Sequence, residues 1–162
     1  MKILVAGIGN IFLGDDGFGV EVAQRMARRP QPEGVRVRDL GIRGFDLSFA
    51  LQDGWDAVVI VDAAQRGEAP GTLYVLEPQP GTGQAPTIDL HGMDPARVLA
   101  MTRALGDATR VMIVACEPAT FGDLEHDDPA MALSEPVAAA IEPAIALIGT
   151  VIARLSGGEA HA

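Results

Sequence analysis

Two carboxylates and one imidazole, on Asp16, Asp62 and His91, are the side chains of this sequence best suited to hold a metal ion together. Carboxylate oxygen and imidazole nitrogen are common ligands of divalent transition metals, and three protein ligands leave a coordination position open. The three residues are far apart in the chain, so only the fold can bring them together. We expect each to lie just past the carboxyl end of a predicted strand, where open α/β sheets gather their binding sites.

Five short apolar segments are the predicted strands that would position these residues, at 2–6, 35–39, 57–62, 72–77 and 110–115. Four of them are nearly continuous, which is typical of strands covered on both faces. The segment at 72–77 alternates more and follows the third strand after a turn too short for a crossover helix. We therefore expect it to be an antiparallel strand at the edge of the sheet.

Helices are predicted between these strands, at 16–29, 45–52, 95–105 and 134–155. The last one spaces its apolar residues by three and four but contains Pro143, where we expect a kink. The order of elements predicts an α/β fold, with three α/β/α layers around a five-stranded, mostly parallel twisted sheet. We expect a single domain at 1–156 and a flexible tail at 157–162.

The composition limits the kind of partner. The formal net charge of −10 offers no basic footprint for nucleic acid, and the single cysteine allows no internal disulfide. No segment reaches the ~18 apolar residues of a membrane span, and the apolar run at the amino terminus is too short for a signal peptide. We therefore expect a cytoplasmic protein, working as a monomer, that binds neither nucleic acid nor membrane.

Each candidate ligand also has a purely structural interpretation. Asp15 and Asp16 open a predicted helix, where one acid would cap the helix and interact favourably with its dipole. A second adjacent acid is not needed for that purpose and weakly favours a nearby cation. Asp62 could cap the turn after its strand, and a lone loop histidine such as His91 is more often a surface residue. The local sequence leaves these alternatives open.

A nucleotide site is a weaker alternative. Gly7-Ile8-Gly9 follows the first predicted strand, as in the dinucleotide-binding fingerprint. However, Phe12 occupies the position of the third glycine. In addition, Asp15 and Asp16 would repel a pyrophosphate at the start of the helix. A Rossmann-type nucleotide-binding enzyme is therefore disfavoured.

Cysteine catalysis is a second alternative. Cys116 follows the fifth predicted strand and could pair with His91 as a nucleophile. Nothing in the sequence indicates that this thiol is activated, and a buried lone cysteine usually behaves as a small apolar residue. The chain also has no Gly-x-Ser-x-Gly motif for a serine nucleophile.

The segment GIGNIFLGDDGFG at 7–19 resembles the opening motif of the hydrogenase maturation proteases. These endopeptidases trim the carboxyl-terminal extension from the large subunit of nickel–iron hydrogenase. Shorter segments resemble later parts of the family in the same order, so that the resemblance extends over nearly the whole chain. They are Asp39 with Gly41-Ile42-Arg43-Gly44, Val61-Asp62-Ala63, His91, Cys116-Glu117-Pro118 and Leu133-Ser134-Glu135-Pro136-Val137.

The resemblance implies that Asp16, Asp62 and His91 form a catalytic metal site, which recognises nickel already installed in the hydrogenase large-subunit precursor. Zinc or cadmium could substitute for nickel in vitro. Family members often carry glutamate where this chain has Asp16, so Asp15 could share the role of ligand.

By the same resemblance, Asp39 would contact the ligands or the substrate, and Asn10 and Asp15 are further candidates for such contacts. Either Asp16 or Asp62 could act as the general base. A metal-binding or scaffold protein without proteolytic activity, built on the same fold, stays open as an alternative.

Overall fold

A computed structural model describes residues 1–41, 53–77, 109–121 and 132–157. Its five strands form one sheet in the order β2-β1-β3-β5-β4. The strands are β1 (Ile3–Ile8), β2 (Val35–Gly41), β3 (Ala57–Ala63), β4 (Leu73–Leu76) and β5 (Arg110–Cys116). Neighbouring strands are parallel except for β4, which pairs antiparallel with β5 at the edge. The predicted mostly parallel sheet with one antiparallel edge strand is confirmed.

The inner strands β1, β3 and β5 bury both of their faces, as predicted from their continuous apolar runs, whereas β2 at the edge exposes Arg36, Arg38 and Asp39. Alternate residues of β1 and β3 pack in opposite directions. Ile3, Val5 and Val59 belong to the cluster that contains α1 (Phe18–Ala27) and the carboxyl-terminal helices, whereas Leu4 and Ile60 belong to the cluster on the other face. The helices predicted at 45–52 and 95–105 lie outside the described residues.

The first predicted helix divides into two pieces. A short 3-10 helix, Gly14–Gly17, carries Asp16, and α1 begins only at Phe18. The apolar face predicted for this helix is confirmed, because Phe18, Val22 and Met26 are all buried. Since α1 packs on β1, β2 and β3, the 3-10 helix is held at its amino-terminal end, close to the sheet.

The single kinked helix predicted at 134–155 is wrong. The chain forms α2 (Glu135–Ala139) and α3 (Ile141–Gly157), with the break at Ala140 instead of Pro143. The carbonyl of Ala140 accepts the first backbone hydrogen bond of α3, from Ala144 at 2.9 Å. Pro143 therefore lies in the first turn of α3, where a missing N–H costs no intrahelical bond.

None of the helices in the described part of the chain is long and apolar enough to span a membrane. The domain limits of 1–156 stay a prediction. Helix α3 ends at Gly157, and 158–162 of the predicted tail lie outside the described residues.

Candidate functional site

The carboxyl ends of β1, β3 and β5 lie side by side, because these strands are parallel neighbours. We call this row of strand ends the carboxyl edge of the sheet, as distinct from its outer strands. Asp62 is the next-to-last residue of β3, and the loop after β1 leads into the 3-10 helix with Asp16. That helix contacts β3. The structure therefore brings Asp16 and Asp62 to neighbouring elements at the edge where the sequence predicted the site.

Asp62 is a buried carboxylate at the end of an apolar strand. It lies within β3 and not just past it, and its exposed fraction is 1%. The backbone N–H of Ala63 donates a hydrogen bond to Oδ1 of Asp62 at 2.8 Å. A carboxylate in such a place is costly unless it has polar partners, and its position at the carboxyl end of β3 keeps Asp62 a candidate ligand.

Asp16 is only partly buried, and the loop before it folds back onto its side chain. The backbone N–H of Asn10 donates to Oδ2 of Asp16 at 2.9 Å, and the N–H of Asp16 donates to the Leu13 carbonyl at 3.1 Å. The side chain of Asn10 accepts a hydrogen bond from the N–H of Phe12 at 2.9 Å, which closes an Asx turn. The candidate ligand is therefore attached to the end of β1 by the loop that carries it.

Two glycines allow this loop and the start of α1 to lie directly on the strands. Gly9 has a φ of +144°, and a β-carbon there would overlap the carbonyl oxygen of Asp16. A β-carbon on Gly19 would overlap the carbonyl oxygens of Val61 and Ile8. Because Val61 precedes Asp62, the close approach at Gly19 fixes Asp62 against the helix start that follows Asp16.

Asp15 has a different role from Asp16, although the two are adjacent. Its side chain is fully buried. Oδ2 accepts hydrogen bonds from the N–H groups of Ala119 and Thr120, at 2.8 and 3.1 Å, and from the Ser134 hydroxyl at 2.8 Å. Oδ1 accepts the N–H of Ser134 at 2.7 Å. An ionised carboxylate has about four acceptor sites, so these donors occupy Asp15 and disfavour it as a metal ligand.

Glu117, directly after β5, is a buried carboxylate that sequence reasoning did not select as a site residue. Its oxygens accept hydrogen bonds from the N–H groups of Arg66 and Gly67, at 2.8 and 3.0 Å, and from the Tyr74 hydroxyl at 2.7 Å. Burial raises the pKa of Glu117, but the Tyr74 hydroxyl and the N–H groups of Arg66, Gly67 and Glu68 outweigh it and lower this pKa below its usual value. The signal that could have found Glu117 is an acid at the end of an apolar strand, as at Asp62.

Cys116 is buried at the end of β5. Burial, followed by the negative charges of Asp15 and Glu117, raises its pKa to about 12. The thiol therefore stays protonated at neutral pH and is a poor nucleophile. The interpretation of Cys116 as a catalytic residue finds no support in this geometry.

Asp39 lies near the end of β2 and is exposed. Its oxygens accept hydrogen bonds from the side-chain amide of Gln24 at 2.9 Å and from the N–H of Gly41 at 3.0 Å. In the strand register Asp39 is opposite Gly7, which precedes the loop of Asp16 by a few residues. It therefore borders the same edge of the sheet.

The predicted third ligand, His91, lies outside the described residues. Among residues 1–41, 53–77, 109–121 and 132–157, no group of three histidine, cysteine, aspartate or glutamate side chains is arranged to hold a metal ion. The metal site of Asp16, Asp62 and His91 therefore stays a prediction.

Comparison with known sequences points to one family. The family model described as hydrogenase maturation protease matches residues 20–151. The hydrogenase expression/formation protein HupM of Azotobacter chroococcum is 36% identical over 150 residues, which cover 90% of this chain and 69% of that protein. The hydrogenase 2 maturation protease of Escherichia coli is 30% identical over an alignment of 168 positions, gaps included, which spans 99% of this chain and 95% of that protein.

Solved structures agree with the sequence comparison. The hydrogenase maturating endopeptidase HybD of Escherichia coli has a TM-score of 0.75 and 27% identity, covering 97% of this chain and 94% of its own. The NiFe hydrogenase maturation protease HycI of Thermococcus kodakarensis has a TM-score of 0.67 and 27% identity, covering 93% of this chain and 91% of its own. From its sequence and its fold together, this chain belongs to the hydrogenase maturation protease family.

Proposed function

We propose that this chain is the endopeptidase that removes the carboxyl-terminal extension of a nickel-loaded hydrogenase large-subunit precursor. In this proposal Asp16, Asp62 and His91 contact the nickel of the precursor. Membership of the family supports proteolysis, and the names of related proteins point to hydrogenase as the substrate. The observation that carries the site is the contact between Gly19 and Val61, which holds the Asp16 turn against the strand end with Asp62.

The chemistry of the ligands suits a metal brought by another protein. Two carboxylates and an imidazole leave coordination positions open, so the precursor could keep its own ligands on the nickel while it docks. The buried position of Asp62 strengthens its attraction for a cation, because the surroundings screen charge less than water does. Asp16 is favoured over Asp15 because it is the less buried of the two and Asp15 already accepts four hydrogen bonds. Zinc or cadmium would occupy the same position in vitro.

Peptide hydrolysis then needs a water molecule to attack the scissile carbonyl, a base to take its proton, and protonation of the departing amine. The bound nickel would orient the precursor and polarise the carbonyl or the water. Asp16 and Asp62 are the candidates for the base, since each is a carboxylate at this edge of the sheet. The buried, protonated Cys116 plays no part in this scheme.

A protein substrate that reaches Asp16 would also cover the turn before it. Ile11 and Phe12 in that turn expose 45% and 49% of their surface. The two side chains are neighbours and offer apolar surface beside Asp16, and we propose that they contact the precursor. A cytoplasmic location and a monomeric state stay predictions.

The proposal is tested by the processing of a purified nickel-loaded precursor, followed by mass spectrometry. We expect wild-type protein to shorten the precursor, and Asp16→Asn, Asp62→Asn and His91→Ala each to slow processing by ~100-fold or more. The matched control is Asp53→Asn, because Asp53 is an exposed acid that precedes β3 and forms a surface ion pair with Arg38 at 3.2 Å. If all three folded variants process at the wild-type rate, the assignment of the site is wrong.

The same experiment separates a protease from a scaffold protein. Stable binding of the precursor without any change in its mass would favour the non-proteolytic alternative. The nucleotide-binding alternative predicts that NAD or ATP raises the thermal stability, and we expect neither to do so because Asp15 and Asp16 lie at the start of the first helix.

A further inference from the structure

The carboxylate of Asp15 joins three segments that are far apart in the sequence. It accepts hydrogen bonds from Ala119 and Thr120 after β5 and from Ser134 immediately before α2. Its own backbone N–H donates to the carbonyl of Thr120 at 3.0 Å. These hydrogen bonds tie the 3-10 helix to the segment after β5 and to the start of α2, on the side of the site away from β1.

Asp16, the next residue in the chain, is attached to β1 on its other side. Its carboxylate accepts the N–H of Asn10, and its carbonyl oxygen packs on Gly9. The helix of only four residues that carries Asp16 is thus held from two directions. Its position relative to Asp62 depends on both attachments.

The hydrogen bonds to Asp15 are of the strong, charge-assisted kind, and their donors are three backbone N–H groups and the Ser134 hydroxyl. They form inside the protein, where an unmatched charge or an unmatched N–H is costly. Because loss of any one donor leaves a buried carboxylate oxygen less well satisfied, the position of the 3-10 helix is sensitive to residues as distant in sequence as Ser134.

We propose that Asp15 is a positioning residue that sets the location of Asp16 relative to Asp62 by tying the 3-10 helix to the segment after β5 and to Ser134. This inference rests on the proposed function, since it takes Asp16 and Asp62 as metal ligands. It assigns to Asp15 no contact with metal or substrate. Ala119, Thr120 and Ser134, which hold the Asp15 carboxylate, therefore belong to the support of the metal site.

The direct test is Ni²⁺ titration of the purified full-length protein. We expect Asp15→Asn to weaken Ni²⁺ binding by about 10- to 100-fold, the range typical when a group that supports a ligand is replaced. The amide of asparagine is nearly isosteric with the aspartate carboxylate. However, its NH₂ group cannot accept a hydrogen bond and would face the N–H and O–H donors that now bind Asp15. Ser134→Ala removes only the hydroxyl donor and is expected to weaken binding in the same direction, whereas Ser134→Thr, which keeps a hydroxyl, should restore it.

The matched control is Glu117→Gln. Glu117 is also a buried carboxylate at the carboxyl edge of the sheet with several donors. However, Glu117 is not part of the 3-10 helix, and its donors are Tyr74 and the backbone at 66–68. We expect this variant to lose stability while it keeps Ni²⁺ affinity. A second readout needs no metal: hydrogen exchange of the Asn10 N–H, which donates to Asp16, should become faster in Asp15→Asn and Ser134→Ala but not in Glu117→Gln.

Three outcomes are decisive. Weaker Ni²⁺ binding and faster exchange at Asn10 in the Asp15 and Ser134 variants, with the Glu117 control unchanged in both, would establish the positioning role. Should Asp15→Asn fail to fold, the comparison of Ser134→Ala with Ser134→Thr decides alone. If wild-type protein binds Ni²⁺ and processes precursor while the folded variants match it in affinity and exchange, the positioning role is overturned and the proposed function stands. Wild-type protein that does neither would overturn both.

Discussion

The α-carbon of Gly19 lies so close to the carbonyl oxygen of Val61 that no β-carbon fits between them. Gly19 is the second residue of α1, and Val61 immediately precedes Asp62 in β3. This contact joins the two halves of the candidate site, because the Asp16 turn leads into α1. This close approach between a helix start and the sheet thus occurs where the proposed function brings Asp16 and Asp62 together.

Replacing Gly19 with alanine is expected to separate these elements. The added methyl group has to push α1 away from β3, which should lower the free energy of unfolding by about 1–3 kcal/mol. It should also reduce precursor processing. Chemical denaturation and the processing assay measure the two effects.

Gly149→Ala is the control for this substitution. Gly149 is also in a helix, but open space surrounds the position of its missing β-carbon. Alanine there should be neutral or stabilising by up to ~1 kcal/mol and should leave processing unchanged. A Gly19→Ala protein that behaves like Gly149→Ala would show that the close approach does not hold the site together.

Ile11 and Phe12 are expected to contribute to substrate binding and not to stability. Their replacement with serine removes apolar surface that is already exposed to water, so the unfolding free energy should change little. The KM for precursor should rise by about tenfold or more, with kcat retained at saturation.

The control for these residues is Val75→Ser, at an exposed apolar position on β4, across the sheet from β1. We expect this variant to keep the wild-type KM. Equal effects of the Phe12 and Val75 substitutions on KM would argue against a substrate surface around the Asp16 turn.

Cys116→Ala should keep the wild-type processing rate. The cysteine is buried and its pKa is raised to about 12, so a thiolate is scarce at neutral pH. A modest loss of stability, of about 1 kcal/mol, is expected from the smaller side chain. Complete loss of processing in a variant that folds normally would instead favour a cysteine peptidase.

The pair of Tyr74 and Glu117 predicts how stability depends on pH. Burial, together with the hydrogen bond to Glu117, raises the pKa of Tyr74 to about 12 from an ordinary value of 10.0. The neutral tyrosine therefore stabilises the folded state fully below pH 10.0, and this contribution disappears as the pH rises toward 12. Tyr74 is the only tyrosine of the chain, so tyrosinate absorbance reports it directly, and an apparent pKa near 10 in the folded protein would contradict the contact.

Glu117 determines how the free energy of unfolding depends on pH under acidic conditions. Its pKa is lowered, so its contribution is present above the ordinary value of 4.5 and disappears as the pH falls through the folded pKa below it. Tyr74→Phe removes the hydroxyl donor and should cost about 1–3 kcal/mol at neutral pH. The acid unfolding midpoint of this variant should move to higher pH, and an unchanged midpoint would show that the hydrogen bond does not stabilise the ionised carboxylate.

The strands were predictable because their signal is local. Short apolar segments, four nearly continuous and one more alternating, placed all five strands to within two residues at each end. The link between the third and fourth strands is too short for a crossover helix, and it therefore also predicted that β4 is an antiparallel strand at the edge of the sheet. The break at Ala140 was not predictable from the presence of proline alone, because Pro143 is tolerated in the first turn of a helix and so marks a start as readily as a kink.

The candidate site was only partly predictable for a related reason. Asp15 and Asp16 are the same residue type and adjacent, so the sequence could not distinguish a buried anchor from a candidate ligand. Their difference arises from Ala119, Thr120 and Ser134, which lie more than a hundred residues away and meet Asp15 only in the folded chain. Asp62, in contrast, could be singled out because it ends an apolar run, whereas its role as a ligand was predicted only from the family resemblance.

The central claim is that Asp16, Asp62 and His91 can contact one metal ion. The most direct measurement is a crystal structure of the protein grown with Zn²⁺ in place of the nickel of the precursor, with the ion located by its anomalous scattering. The account predicts one peak with carboxylate oxygens of Asp16 and Asp62 and an imidazole nitrogen of His91 at about 2.0–2.2 Å. Side chains too far apart for a single ion to touch all three, or zinc bound only elsewhere, would contradict it.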